Sequence, residues 1–187
     1  NGSGTGASSN GIYLDNAAVV EASGTGNVTL TGEGNQLGGT NSLNGILMNN
    51  GASVSTESGT LTLSGTGGDG TEGQNRGVYL LGSSSLNVGD GAMSVTGTGS
   101  GSGQEGEGIF LSAGSKAEAT GNGAITMTGI GSSGGGLAQN GIVLRTAAKV
   151  LTTGGDLTVV GTGGDVAGLA NHGVYLTDSG TELSVGN

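Results

Sequence analysis

The chain has no cysteine, no proline and no tryptophan. Without cysteine it can form neither a disulfide nor a thiolate metal site. Basic residues are scarce: four Lys and Arg face fourteen Asp and Glu, for a net charge of −10. Nucleic-acid binding rests on neutralising phosphates with Lys and Arg, so that class is excluded. Anionic membrane surfaces are excluded on the same ground. No apolar run approaches the roughly 18 residues of a membrane span, so no membrane insertion is expected. Histidine occurs once, as His172. The acidic balance is read as a device for solubility.

Glycine is abundant instead, at 46 of 187 residues. Each glycine inside a helix costs about 1 kcal/mol relative to Ala, so this density excludes helix. Gly-rich chains without a period are usually disordered. Here there is a period. Gly11-Ile12-Tyr13-Leu14 returns as Gly45-Ile46-Leu47-Met48, Gly77-Val78-Tyr79-Leu80, Gly108-Ile109-Phe110-Leu111, Gly141-Ile142-Val143-Leu144 and Gly173-Val174-Tyr175-Leu176. The anchors are 34, 32, 31, 33 and 32 residues apart. A period of this length marks a stacked-repeat architecture.

Two further alternating segments follow each anchor. One reads Val20-Glu21-Ala22, Val54-Ser55-Thr56, Leu86-Asn87-Val88, Ala117-Glu118-Ala119, Val150-Leu151-Thr152 and Leu183-Ser184-Val185. The other reads Val28-Thr29-Leu30, Leu61-Thr62-Leu63, Met93-Ser94-Val95, Ile125-Thr126-Met127 and Leu157-Thr158-Val159. Alternation with β-branched residues predicts strands. A Gly-x-Gly element ends each third segment, as in Gly32-Glu33-Gly34 and Gly97-Thr98-Gly99, and is expected to form a corner with positive φ. The predicted fold is therefore all-β. It is a parallel β-helix (β-solenoid), right-handed by the general crossover preference, with about 32 residues per coil and three short strands. Residues 1–187 form a single array of about six repeats, open at both ends. Ile12, Leu14, Val20, Ala22, Val28 and Leu30 are the inward set of the first coil. The residue before the anchor glycine should form a polar ladder through Asn10, Asn44 and Asn140, with Arg76, Glu107 and His172 in the other coils. Tyr13, Tyr79, Phe110 and Tyr175 should form an outer aromatic row.

The anchors, together with stretches such as Gly26-Asn27-Val28-Thr29-Leu30-Thr31-Gly32, resemble the β-strand-repeat regions of large bacterial surface proteins, among them filamentous-haemagglutinin-like adhesins. The likeness covers essentially the whole chain. It implies an exported protein, extracellular or at the cell surface, serving in adhesion, biofilm or fibre formation. Fold alone does not set function, so these are expectations.

Catalysis needs titratable groups converging in a cleft. His172 stands alone at a loop-to-strand junction, and Arg76, Lys116, Arg145 and Lys149 are read as scattered over different repeats and positions. No enzymatic activity and no cofactor are expected. The Gly-rich elements precede no helix and no Gly-Lys-Ser/Thr, so they are not phosphate loops. Asp69 and Asp165 occupy equivalent loops, but three coils separate them by ~14 Å, too far to share a calcium ion. No shared metal site is expected, and calcium binding within an individual loop stays open.

Two surfaces remain. Outward residues of the third strand give a Thr-x-Thr array: Thr29 and Thr31, Thr62 and Ser64, Ser94 and Thr96, Thr126 and Thr128, and Thr158. This looks like the face of some ice-binding proteins. It is equally what β-propensity and lateral hydrogen bonding would favour. The other surface is axial. Residues 1–10 read like the loop after a Gly-x-Gly corner, and Leu183-Ser184-Val185-Gly186-Asn187 stops where Gly26-Asn27 leads into a third strand. Both ends are expected to continue into another stack, with Asn1, Gly2, Val185 and Asn187 as candidate self-association residues. The expected partners are further coils stacked end to end, with surface glycans or other matrix components on the outside.

Overall fold

A computed structural model describes residues 8–38, 42–165 and 171–186. Every regular element in these residues is a strand, and the strands form three parallel sheets. The anchor segments form the first sheet: β1 (Ile12–Leu14), β4 (Ile46–Met48), β7 (Val78–Leu80), β10 (Ile109–Leu111), β13 (Ile142–Leu144) and β16 (Val174–Leu176). The second sheet holds β2 (Val19–Ala22), β5 (Ser53–Thr56), β8 (Ser85–Val88), β11 (Lys116–Ala119), β14 (Lys149–Thr152) and β17 (Glu182–Val185). The third holds β3 (Val28–Glu33), β6 (Leu61–Thr66), β9 (Met93–Thr98), β12 (Ile125–Ile130) and β15 (Leu157–Thr162). The chain is thus a β-solenoid of about 32 residues per coil. Five coils have all three strands, and a sixth contributes two.

Register follows the period residue for residue. Ile12 pairs with Ile46, then Val78, Ile109, Ile142 and Val174 along one column. A strand three residues long buries little by itself, but stacked coils line one continuous interior. Ile46, Met48, Val54, Leu61, Leu63, Val78, Leu80, Leu86, Ile109, Leu111, Ile125 and Met127 are all fully buried. Ala117 and Ala119 sit in the same core. The first-coil set of Ile12, Leu14, Val20, Ala22 and Leu30 packs against it from the end and is only partly buried.

The Gly-x-Gly element differs from expectation. Its first glycine and middle residue belong to the third strand, as with Gly32-Glu33 at the end of β3. None of these glycines has positive φ. They are required because backbone meets backbone. A Cβ at Gly32 would overlap the carbonyl oxygen of Gly45, and one at Gly97 would overlap that of Gly108. The anchor glycines are bound by the reciprocal contact: a Cβ at Gly77 would run into the amide nitrogen of Thr98. Left-handed residues occur in other loops and recur at the corner between first and second strands: Asn50 and Gly51, Gly82 and Ser83, Ala113 and Gly114, Thr146 and Ala147. Asn and Gly adopt this conformation readily; Thr and Ala do so under strain.

One core column contains Thr56, Val88, Ala119 and Thr152 in register. The Thr56 hydroxyl donates to the Gly59 carbonyl at 2.8 Å. The buried Thr152 hydroxyl finds no partner among the described residues. An unmade hydrogen bond in the interior costs about 1–3 kcal/mol. Thr152→Val should therefore stabilise the fold by about 1 kcal/mol, whereas Gly97→Ala should destabilise it by about 3 kcal/mol or more through overlap. Urea denaturation of the two variants checks both; a stabilised Gly97→Ala protein would contradict the backbone-contact account.

Candidate functional site

The outward face of the third sheet is a regular lattice three columns wide. The first column runs Thr29, Thr62, Ser94, Thr126, Thr158, and the second Thr31, Ser64, Thr96, Thr128, Val160. Sequence reasoning found these two. It missed a third, Glu33, Thr66, Thr98, Ile130, Thr162, because the Gly-x-Gly element was read as a corner and not as strand. All fifteen positions are exposed or half-buried. Among the described residues no hydrogen bond joins these hydroxyls to one another.

The polar ladder is present just before the first-sheet strands, and Asn44, Arg76, Glu107 and Asn140 in it are buried. Asn44 donates through its backbone N and its Nδ2 to Asn10 Oδ1, at 3.1 and 3.0 Å. The Arg76 backbone N donates to Asn44 Oδ1, and that of His172 to Asn140 Oδ1. In the middle coils the column switches from amides to an ion pair. Arg76 Nε donates to Glu107 Oε2 at 2.7 Å, and Arg76 Nη2 to Glu105 Oε2 at 2.6 Å. Arg76 is 1% exposed and Glu107 3%. Burial disfavours the Glu107 carboxylate and pushes its pKa up, against the opposing pull of Arg76.

The aromatic row lies in register as expected, but it is not uniformly outer. Tyr13 is 53% exposed and Tyr175 41%, whereas Phe110 is 2% exposed. Guanidinium groups cover it. The Arg76 group lies 4.1 Å from the Phe110 ring centroid and 4.3 Å from that of Tyr79, and the Arg145 group lies 4.8 Å above Phe110. Cation–π contact of this kind is strongest when desolvated. Arg76 Nη1 has no hydrogen-bond acceptor among the described residues, and the two rings stand in for one.

The reading of the basic residues as scattered is therefore corrected. Arg76 and Arg145 meet on one ring. Lys116 and Lys149 are direct register partners, and Lys149 bridges Glu182 at 3.0 Å. Burial of the cations was not visible in a linear spacing. The column alignment carried the signal, since Arg76 and Glu107 occupy the same ladder position one coil apart.

Over coils four to six this row forms a groove of about 300 Å³. Phe110, Val143 and Tyr175 run along its base. Glu105, Glu107 and Asn140 line it on the side where the strands begin, and Arg145, Thr177 and Asp178 on the side where they end. The His172 ring packs against Tyr175 at 5.1 Å.

The remaining predicted residues stay apart. Asp69 and Asp165 are exposed in separate loops. No group of three or more His, Cys, Asp or Glu able to hold a metal occurs among the described residues. Among the described residues no helix is long and apolar enough to cross a membrane. Val185 lies on β17 and is 59% exposed; Asn1, Gly2 and Asn187 lie outside the described residues. Comparison of the chain with known protein families, with curated proteins and with solved structures gives no match.

Removing one member of a buried pair strands the other, at about 3–5 kcal/mol. Arg76→Ala should lose that much in urea denaturation. The pH dependence has a definite sign. With its pKa raised on folding, Glu107 binds its proton more tightly in the folded state. Its contribution is complete below the ordinary glutamate range and is lost as pH rises through the raised value. The stability of the parent protein relative to Glu107→Gln should therefore fall across that rise. A difference that grows with pH would contradict the assignment.

Proposed function

We propose that the chain is a structural element of an extracellular or cell-surface assembly, an adhesin stalk or fibre-forming subunit in which coils stack along one axis. The observation that carries this reading is the state of the two outermost described coils. Coils two to four bury the in-facing apolar residues of all three strands. Ile12 and Leu14 at one end are half-buried, and Val174 and Leu176 at the other are 37% and 40% exposed. Each outermost strand also presents an unpaired backbone edge. Open β edges recruit further strands, and another coil in register would cover edge and side chains together. The same contact serves whether that coil comes from one polypeptide or another. Head-to-tail contacts need not close, so they build filaments. The extracellular setting rests on the likeness of the repeat to bacterial surface proteins, and the acidic exterior suits it.

A second reading has its own support. The third-sheet face is regular, is wider by a column than the sequence indicated, and carries hydroxyls with no protein partner among the described residues. Spacings of ~4.8 Å between coils and ~6.6 Å between alternate residues repeat across it. Such a lattice can order water, which is the requirement for binding ice.

Light scattering and electron microscopy of residues 1–187 separate the two. Axial stacking predicts concentration-dependent filaments one solenoid wide, shortened by Leu176→Lys. A monomer at high concentration with both end coils protected from hydrogen exchange would sink the fibre reading. Ice binding predicts thermal hysteresis at micromolar protein that Thr126→Tyr abolishes; its absence would remove the second reading.

A further inference from the structure

We propose that the groove over coils four to six is a binding site for a neutral saccharide, with Tyr175 as the stacking platform and Asn140, Glu107, Arg145 and Asp178 as its hydrogen-bonding groups. This site lies on the first sheet, away from the threonine lattice, and runs from coil four to coil six, the last described coil.

The site is built, not incidental. Asn140 is 3% exposed, yet it lines the groove. Its Oδ1 accepts from the His172 backbone at 2.9 Å, while its Nδ2 donates to no protein group among the described residues. A nearly buried amide normally spends its donors within the protein. This one has an unspent donor at the groove. Arg145 is a second. Its guanidinium forms no ion pair among the described residues, although its neighbours Glu107 and Asp178 are carboxylates. Those acids are engaged elsewhere, Glu107 with Arg76 and Asp178 with Thr146. Packing on Phe110 holds the Arg145 group in place.

The platform is equally fixed. Tyr175 is 41% exposed in a row whose other members are covered at Phe110 and Val143. The His172 ring backs it with an interplanar angle of 31°. A half-exposed aromatic ring held by a second ring offers a flat apolar face beside polar groups. The C–H face of a sugar ring matches that face, and its hydroxyls match the surroundings.

Charge selects a neutral occupant. The lining holds both signs, with Arg145 and an amide donor against Glu107 and Asp178. A hydroxyl both donates and accepts, so a polyol satisfies both sides. A polyanion would meet the carboxylates here and the −10 charge of the chain as a whole. A volume of about 300 Å³ is at the lower end for small-molecule sites, which limits the occupant to about two rings.

The test uses residues 1–187 with maltose, cellobiose and chitobiose as neutral probes and digalacturonate as the acidic one. Binding is followed by saturation-transfer NMR and calorimetry. At least one neutral disaccharide should bind, and Tyr175→Ala and Arg145→Gln should each weaken it about tenfold. Thr126→Tyr, on the other face, should leave it unchanged. Arg145 is exposed, so its variant keeps the proposal testable if Tyr175→Ala disturbs the edge strand. Failure of every neutral probe to bind, binding of digalacturonate alone, or affinities unmoved by Arg145→Gln would overturn the assignment.

Discussion

At one corner of each coil the backbone touches itself without side chains between. The end of the third strand lies against the next anchor, so that Gly65 meets the carbonyl of Gly77 and Gly129 meets that of Gly141. This contact closes the cross-section at the one corner where a long excursion leaves and returns. Because the two ends of the excursion are clamped there, its length can vary without disturbing the sheets. The spacings between anchors vary from 31 to 34 residues, yet strand register never slips. A methyl group at either glycine would push the two segments apart and pull neighbouring strands out of line in all three sheets.

Stacking in register turns each position into a column, and a column tolerates change only in ways its neighbours can absorb. Core columns accept Leu, Val, Ile, Met and even Ala, since a small residue in one coil is covered from above and below. The ladder column is less forgiving because its members hydrogen-bond to each other. Asn suits it: the side-chain oxygen accepts from the backbone of the next coil, as Asn10 does for Asn44 and Asn44 for Arg76. Where Asn gives way to Arg76, the next coil supplies Glu107, and the buried charge is matched within the column. Such pairs add little net stability over apolar packing. They do fix which coil lies beside which, since an Arg offered to another coil would find no carboxylate.

Much of this was legible in the residues themselves. The anchors placed the first strand of every coil, and alternation placed the inward faces. Both signals are local and repeated six times, so chance matches are averaged out. Three features escaped. The Gly-x-Gly element reads as a bend because glycine has two uses, freedom in φ and absence of a Cβ, and sequence alone does not distinguish them. The true first corner hides in Asn50-Gly51, Ala113-Gly114 and Thr146-Ala147, whose residues share a left-handed backbone but no common composition. The groove was invisible for a different reason. Arg76, Phe110 and Arg145 belong to three coils and three column positions, and only the paths of their side chains bring them together.

That last point bears on where a solenoid can carry chemistry. The third-sheet face keeps close to its repeat, and a regular face can do only what regularity allows: stack, space, or present a lattice to water. Specific recognition needs groups of different kinds at one place, so it requires the repeat to be broken there. The first sheet is where this chain breaks it. Coils one and two read Asn10, Tyr13 and Asn44, Leu47 at the ladder and row positions, while coils three to six read Arg76, Tyr79; Glu107, Phe110; Asn140, Val143; and His172, Tyr175. Each departure is satisfied by a neighbouring departure: Glu107 answers Arg76, the guanidinium groups cover Phe110, and His172 supports Tyr175. Random drift in a structural repeat would scatter unmatched substitutions and leave buried charges alone. Matched ones, gathered on a single face over successive coils, mark the part of the surface whose individual side chains matter.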